Sequence, residues 1–332
     1  MISKKGIRIL FVCPSFSSFI QNDLDILRRH FEVRVAHYQG KKRLLKFLIE
    51  MLKGVLWADI TFSWFADVHA FVAVLFSKIF RRKSIVVVGG YEVAKVSEIG
   101  YGAMLNKRKA LIVKFVLKHA DKVLAVSEFS KKEILRCVNI KNIELVYNGV
   151  DYDEFTPKSE KEDLVITIGG VSDDVIKRKG FEVFVRSAEY LPDTKVVLIG
   201  KHIDNSIEHL REFASSNVEF TGFVSDEELF KYYQKAKVYC QLSIYESFGM
   251  ALAEAMACEC IPVVTNNAAL PEVVGDTGFY VPYRDPKATA EAIEKALNSS
   301  KGKDARKRIV NMFSAERKER ELKQIIKRCY NG

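Results

Sequence analysis

Short apolar runs alternate with longer amphipathic stretches along the first half of the chain. The centres of RILFVC and SIVVV are continuously apolar, as in parallel strands covered on both faces. Strands that alternate with helices in this way predict a doubly wound α/β sheet. The predicted strands are Arg8–Cys13, Glu32–His37, Ile60–Ser63, Ser84–Val88, Lys122–Val126 and Ile143–Tyr147. The predicted helices are Asn22–His30, Lys42–Lys53, Val68–Phe80, Asn106–Lys118 and Ser130–Cys137.

The polar stretch Asp151–Asp163, DYDEFTPKSEKED, is typical of a linker, and a second series of strands and helices follows it. After Asp285 the chain is predicted to be helical nearly to its end, and the charged segment Ala305–Arg328 fits an exposed helix. The second series predicts strands at Leu164–Ile168, Lys195–Ile199, Val218–Thr221, Val238–Cys240, Ile261–Val264 and Gly278–Val281.

The two series predict two Rossmann-like domains, 1–155 and 156–304, and a C-terminal helix, 305–332, that can cross back to the N-terminal domain. Two doubly wound domains are expected to face a central cleft. Ligands bind in such folds beyond the carboxyl ends of the strands.

Composition agrees with a folded two-domain protein: the chain has 332 residues, of which 48% are hydrophobic and 28% charged. No apolar run reaches the roughly 20 residues that cross a bilayer, and the N-terminal run lacks a small-residue cleavage site. The six cysteines show no metal-type spacing, which favours reduced thiols in the cytoplasm. The net charge of +10 indicates anionic partners. Nucleic acid is not expected among them, because the basic residues are spread over many helices without a recognisable binding module.

The segment IYESFGMALAEAMA begins just after the strand predicted at Val238–Cys240. Ser247 suits the N-cap of a helix that starts near Phe248. The amides of Phe248, Gly249 and Met250 would then lack intrahelical acceptors, and together with the helix dipole they would form an anion site.

Two carboxylates flank this anion site. Glu246 precedes the helix, and Glu254 lies about two turns along it, roughly 10 Å further by helix rise. A nucleotide sugar, with sugar hydroxyls, diphosphate and ribose hydroxyls in that order, matches such an arrangement. Two glutamates eight positions apart also fit a buried helix with a capping acid and one surface glutamate. The surrounding residues must therefore decide between a nucleotide-sugar site and an ordinary buried helix.

The stretch Thr221–Asp285 resembles the donor-binding region of retaining GT-B glycosyltransferases of the family 4 type. It contains the G-x-V-S turn, the E-x7-E motif, a P-V-V strand and a P-E-V-V-G segment, while LVYNGVDYDEFTP and AVSEFSKKEIL match family motifs upstream. The resemblance covers most of the chain and is strongest over Lys122–Asp285. It implies a GT-B fold and retaining transfer of a sugar from a UDP- or GDP-linked donor to a hydroxyl of a glycan, lipid or small molecule.

Carried over to this sequence, the resemblance implies roles for the residues above. Glu246 would hydrogen-bond the transferred sugar, Glu254 would bind the ribose hydroxyls, and the amides of Phe248, Gly249 and Met250 would hold a phosphate. Lys179 matches the family lysine that neutralises the diphosphate. No metal or other cofactor is implied, because fixed cations and a helix dipole stabilise the leaving group.

One departure from the family pattern lies in the C-terminal half. Where relatives carry Gly-Arg after the first strand, this chain has Gly169–Gly170. Either Lys177 or Arg178, from the following segment, would fill the role of that arginine.

A second departure lies in the N-terminal half, where Gly89 replaces a histidine of the relatives while Gly90 and Glu92 remain comparable. Gly89 and Gly90 fit either a tight structural turn or a close approach of the backbone to a ligand. His69 fits either a structural role or a place at the cleft. These departures leave two alternatives to transfer: a non-catalytic nucleotide-sugar-binding subunit, or a GT-B sugar-nucleotide epimerase or hydrolase.

The segment Lys41–Lys53 combines basic and strongly apolar residues. It fits a core helix with a solvated cationic edge. It also fits an interfacial helix that docks a cytoplasmic enzyme on an anionic membrane face.

Overall fold

The computed structural model describes residues 6–40, 43–157 and 160–332. They form two compact units: the first holds the described residues up to 148 together with residues 316–332, and the second holds the described residues from 149 to 315. Residues 149–155 and 305–315 therefore lie in the second unit, outside the ranges predicted for it. Among the described residues, no helix combines the length and apolarity needed to cross a membrane.

The first unit contains a six-stranded parallel sheet in the order β2-β1-β3-β4-β5-β6. The predicted parallel α/β architecture is confirmed, and the centres of β1, β3, β4 and β5 are buried because helices cover both faces. β1 lies between β2 and β3, so the direction of winding reverses between β1 and β3; we call this the first crossing point. The strands are β1 (Arg8–Cys13), β2 (Glu32–His37), β3 (Ile60–Trp64), β4 (Lys83–Val88), β5 (Lys122–Ala125) and β6 (Ile143–Leu145).

The helices of the first unit follow the predicted pattern with shifted ends. The first begins at Ser18 rather than Asn22, and the second begins at Leu44, whereas the predicted start, Lys42, lies outside the described residues. The helices between these strands are α1 (Ser18–His30), α2 (Leu44–Trp57), α3 (Val68–Ile79), α4 (Lys107–His119) and α5 (Glu128–Cys137). The C-terminal helix of the chain also packs on this unit.

The second unit contains another six-stranded parallel sheet, in the order β12-β11-β10-β7-β8-β9. The winding reverses between β7 and β10, the second crossing point. Glu162 and Asp163, predicted to end the linker, instead begin β7. The strands are β7 (Glu162–Ile168), β8 (Lys195–Ile199), β9 (Val218–Gly222), β10 (Ala236–Gln241), β11 (Ile261–Thr265) and β12 (Phe279–Val281). The helices that follow β6 along the chain are α6 (Asp173–Lys179), α7 (Phe181–Ser187), α8 (Ser206–Arg211), α9 (Asp226–Lys235), α10 (Met250–Ala257), α11 (Leu270–Val274), α12 (Pro286–Leu297), α13 (Gly302–Met312) and α14 (Ala315–Asn331).

The prediction of one exposed helix over Ala305–Arg328 is wrong. The chain forms two helices, because Phe313 and Ser314 leave the helical path: the amide of Val150 donates to the carbonyl of Phe313 at 2.8 Å, and the amide of Ala315 donates back to Val150 at 2.9 Å. The second of these helices, α14, buries an apolar stripe of Leu322, Ile325 and Ile326.

A buried ion pair fixes α14 on the first unit. The ammonium of Lys318 contacts the carboxylate of Asp23, and both side chains are almost fully buried. Asp23 also accepts a hydrogen bond from the indole of Trp64 at 3.0 Å, and Lys318 donates to Asn148 at 3.2 Å. These bonds satisfy charges that would otherwise be costly to bury.

Candidate active site

The second crossing point places two loops side by side. β7 and β10 are neighbours in the sheet, so the loops after Ile168 and Gln241 start next to each other at its carboxyl edge. The two loops then lead to helices on opposite faces of the sheet, which leaves a gap between them. Open α/β sheets bind ligands at such points. The residues predicted to bind the donor lie on these two loops and on the helices that follow them.

Lys179 reaches back from the end of α6 to the end of β7. Its ammonium donates to the carbonyl of Ile168 at 3.0 Å. Its stem crosses Gly169 so closely that a Cβ there would lie 2.9 Å from the Lys179 Cδ. Burial lowers the pKa of Lys179, and the nearby Glu246 carboxylate opposes that shift. The absence of a side chain at Gly169 therefore lets a largely desolvated cation sit at the crossing point.

The structure separates the two candidates for the missing arginine. The guanidinium of Arg178 lies 3.7 Å from the carboxylate of Glu246, with both side chains about four-fifths covered. Lys177 instead points into solvent and pairs with Asp173 at 2.6 Å. Arg178 is therefore the residue that adds a second cation beside Lys179.

The loop after β10 is held in place by buried polar groups. Gln241 donates to Ser243 at 2.7 Å and lies 3.4 Å from the carboxylate of Glu246. The amide of Ile244 donates to the carbonyl of Arg178 at 2.9 Å, which ties this loop to the end of α6. Glu246 is thus fixed near Arg178 and Lys179 by contacts that the sequence analysis did not identify.

The helix of the E-x7-E motif begins two residues later than predicted. α10 starts at Met250, and Gly249, not Ser247, is its N-cap residue. Gly249 has φ +93°, in the left-handed region, while a Cβ added there would meet nothing closer than 3.5 Å. Its backbone conformation, more than crowding, therefore requires glycine. Phe248 precedes the helix, and its side chain is buried against Phe313 at 5.4 Å between ring centroids.

This later start moves the predicted anion site along the chain. Of Phe248, Gly249 and Met250, only Met250 is a helical residue, and the first three helical amides are those of Met250, Ala251 and Leu252. The amide of Ala253 already donates to the carbonyl of Gly249. Amides of the first turn and the positive end of the dipole still point toward the crossing point from α10.

Glu254 also lies closer to the helix start than predicted, roughly 6 Å from Met250 by helix rise. The hydroxyl of Tyr233 donates to its carboxylate at 3.0 Å. Burial raises the pKa of Glu254 to about 7, although the bond from Tyr233 opposes the shift. Tyr233, from α9, is a site residue that sequence reasoning missed, since only the fold brings it to Glu254.

The first crossing point carries different side chains. Phe65 follows β3 with φ +67°, an unusual conformation for a residue other than glycine. Its ring packs on Trp64 and on Phe19 of α1. A Cβ at Gly89 would lie 2.2 Å from the Phe65 ring, and this overlap explains the glycine at position 89.

The amides of Gly89 and Gly90 are used inside the protein. They donate to the carboxylate of Glu92 at 3.1 and 2.7 Å, and the amide of Ala66 donates to the same carboxylate at 3.1 Å. Burial raises the pKa of Glu92, and these amides oppose the shift. A tight structural turn therefore accounts for the two glycines, and their predicted contact with a ligand stays a prediction.

His69 is buried and structural in its contacts. Its ring lies 2.6 Å from the carbonyl of Trp64 and stacks on Tyr38 at 5.9 Å. Burial lowers its pKa and favours the neutral imidazole. Within the described part of the chain, no three His, Cys, Asp or Glu side chains cluster closely enough to hold a metal ion.

Two known families match consecutive parts of the sequence. Residues 2–154 match Glycosyltransferase Family 4, and residues 151–312 match Glycosyl transferases group 1. Among curated proteins, the capsular polysaccharide biosynthesis glycosyltransferase CapM of Staphylococcus aureus is 29% identical over 62% of this chain and 61% of its own. The O-antigen chain mannosyltransferase B of Escherichia coli is 28% identical over 54% of this chain. The match spans 52% of that relative's length.

Solved structures with the same fold cover nearly the whole chain. Anabaena HepE in complex with UDP and glucose superposes with a TM-score of 0.79 and 15% identity, covering 97% of this chain and 99% of that one. Sucrose-phosphate synthase from Thermosynechococcus elongatus gives a TM-score of 0.80 and 17% identity over 98% and 99% of the two chains. The fold is therefore of the GT-B class.

The two family matches meet at residues 151–154 and together cover the chain from residue 2 to residue 312. The protein belongs to the group 1 glycosyltransferases.

Proposed function

We propose that the protein is a retaining glycosyltransferase that moves a sugar from a UDP- or GDP-linked donor to a hydroxyl acceptor. One observation carries this proposal. At the second crossing point, Lys179 and Arg178 converge on Glu246 within reach of the N-terminus of α10. Two cations and a helix N-terminus suit a diphosphate, and an adjacent carboxylate suits the hydroxyls of a sugar.

The same residues supply the chemistry of the leaving group. Negative charge develops on the diphosphate as the glycosidic bond breaks, and fixed cations that are already desolvated stabilise it without reorganisation. Lys179 and Arg178 would take this role, and Glu246 would orient the sugar. Glu254, beside Tyr233, would bind the ribose hydroxyls. We expect transfer to continue in EDTA, because these cations replace a divalent metal.

The complexes of a similar protein support a nucleotide donor. HepE binds UDP, UDP-glucose, and UDP together with glucose. For this chain the acceptor is proposed as a glycan, a lipid or a small molecule. We place the enzyme in the cytoplasm, at an anionic membrane face.

A donor and acceptor panel tests the proposal. Thermal unfolding with UDP, GDP and their sugars should first identify the nucleotide, since a ligand at about 100 times its Kd stabilises by about 2.7 kcal/mol. NMR of the product should then show that the anomeric configuration of the donor is kept. Glu246→Gln should abolish transfer, whereas Glu294→Gln, on the exposed side of α12, should not.

Other outcomes would select the alternatives. An epimer or free sugar formed without acceptor would identify an epimerase or hydrolase. Nucleotide binding without turnover of any donor, across the acceptor panel, would identify a non-catalytic binding subunit. An inverted product would refute the retaining mechanism while leaving the donor site intact.

A further inference from the structure

Helix α2 has two apolar faces. Phe47, Met51 and Val55 are buried against the sheet. On the opposite side, four large apolar side chains are exposed: Leu45 by 74%, Ile49 by 48%, Leu52 by 38% and Leu56 by 49%. An ordinary surface helix has one apolar stripe and a polar outer face, so this second stripe is not explained by packing within the unit.

The four exposed residues form a continuous stripe, which we call the α2 stripe (Leu45, Ile49, Leu52 and Leu56). At about 100° per residue they fall within about 60° of one another, and they run for roughly 16 Å along the helix. Ile79, at the end of the neighbouring α3, adds a side chain that is 60% exposed. Exposed apolar surface of this continuity marks an interaction site in most soluble proteins.

Helix α4 carries a charged stripe at the same spacing. Lys107, Leu111, Lys114 and Lys118 are separated by four, three and four residues, as in the α2 stripe, and all four are exposed. We call them the α4 stripe. α3 packs against both α2 and α4, so the three helices form one layer of the first unit.

Charge on this layer is strongly one-sided. Residues 43–57, 67–83 and 107–119, which hold α2, α3, α4 and the turn after α3, contain twelve Lys and Arg but only two Asp and Glu. Both acids are engaged: Glu50 pairs with Lys46 at 3.7 Å, and Asp67 caps α3. Asp121, from the neighbouring strand end, pairs with Lys78 at 3.5 Å. The remaining basic side chains give the layer a net positive field.

From these observations we infer that the α2–α4 layer docks on an anionic lipid bilayer. The α2 stripe would enter the boundary between headgroups and acyl chains, while the lysines of the α4 stripe contact lipid phosphates. Apolar insertion and lysine attraction are the two terms that together hold amphipathic helices at membranes. A protein partner would cover the apolar side chains but would not require so many lysines beside them. This inference deepens the membrane part of the proposed function.

Vesicle co-sedimentation of the full chain tests this surface without donor or acceptor. The chain should bind mixed phosphatidylcholine–phosphatidylglycerol vesicles, bind phosphatidylcholine vesicles weakly, and dissociate as salt rises. Leu45→Glu with Ile49→Glu should lower partition to anionic vesicles by about tenfold or more. The matched control, Leu135→Glu with Phe223→Glu, changes exposed apolar residues elsewhere and should stay within about twofold of the parent.

A charge series tests the α4 stripe independently. Lys107→Glu, Lys114→Glu and Lys118→Glu together should remove binding to anionic vesicles. Lys132→Glu, Lys295→Glu and Lys327→Glu together give the same net charge with exposed lysines outside the layer, and should retain most of the binding. Transfer to a soluble acceptor should be unchanged in every variant, which separates this test from that of the proposed function.

Three results would overturn the inference: no binding of the parent chain to anionic vesicles, equal losses in the variants and their controls, or an oligomer that dissociates in the α2-stripe variant without any vesicle binding. The last result would assign the stripe to self-association.

Discussion

The two units share one topology and differ in what their crossing points present. In both, winding reverses beside the first strand of the sheet, between β1 and β3 or between β7 and β10. The second crossing point gathers Lys179, Arg178 and Glu246. The first crossing point presents aromatic rings, and the nearby carboxylate of Glu92 accepts hydrogen bonds from backbone amides. Topology therefore creates the position for a site in each unit, while a few side chains distinguish the one that we propose for a diphosphate.

Removing the charge at the second crossing point should have the largest effect. Lys179→Ala should lower kcat/KM by about a hundredfold or more, because a desolvated cation near the leaving group is lost. Lys177→Ala, two residues earlier, should retain activity within a few-fold, since Lys177 pairs with Asp173 in solvent. Steady-state kinetics with a common donor measure both. An equal loss of kcat/KM in both variants would contradict the assignment of Lys179, rather than Lys177, to the leaving group.

At the first crossing point, steric fit is expected to matter more than charge. Gly89→Ala should reduce the free energy of unfolding by about 1–3 kcal/mol, because the new Cβ would overlap the ring of Phe65. Adding Phe65→Ala should recover part of that loss, which a double-mutant cycle by chemical denaturation would measure.

The control for this overlap lies in the other unit. A Cβ at Gly170 would approach the end of the exposed Ile203 side chain, which can rotate away. Gly170→Ala should therefore lower the free energy of unfolding by less than Gly89→Ala. If the changes in the free energy of unfolding for Gly89→Ala and Phe65→Ala were strictly additive, the overlap of the new Cβ with the Phe65 ring would not be what lowers stability.

Glu254 should make the stability of the second unit depend on pH. Burial raises the pKa of Glu254 from 4.5 to about 7. The folded state therefore binds this proton more tightly than the unfolded state, and stability falls as pH rises between these two values. Above about pH 7, the free energy of unfolding of Glu254→Gln should exceed that of the parent by about 1–3 kcal/mol.

Below about pH 4.5 that advantage of Glu254→Gln should vanish, because the parent carboxyl is then protonated in both states. Thermal unfolding across pH measures this difference, and Glu294→Gln, on the surface of α12, serves as the control. A stability gain that does not change with pH would refute the assigned cause.

The smallest expected effect concerns the backbone at the start of α10. Gly249→Ala should lower the free energy of unfolding by about 1–2 kcal/mol, because the left-handed conformation of Gly249 is unfavourable for alanine. It should also weaken nucleotide binding by displacing the first-turn amides. Gly6→Ala, at an exposed position with space around it, is the matched control. Unchanged binding in Gly249→Ala would argue against a phosphate at this helix end.

Element type was predictable because strand and helix patterns are local. β1, β2 and β8 begin and end at the predicted residues, since apolar runs and polar flanks define them. Helix ends were less predictable: Ser247 has the residue type of an N-cap, but the chain continues two residues further before α10 begins. Of the candidate site residues, Glu246 and Lys179 follow from the family motifs, and Arg178 was one of two alternatives, whereas Tyr233 and Gln241 carried no comparable signal.

The sequence by itself determined the α/β class, the order of strands and helices, and the residue types available for a diphosphate, because these depend on short-range patterns of polarity. Only the tertiary structure decided that Arg178 rather than Lys177 meets Glu246, that Glu92 is occupied by the turn at Gly89, and that Phe313 and Ser314 divide the last helices. Each of these depends on contacts between residues far apart in the chain. Such contacts are set by how the elements pack, and local patterns do not contain them.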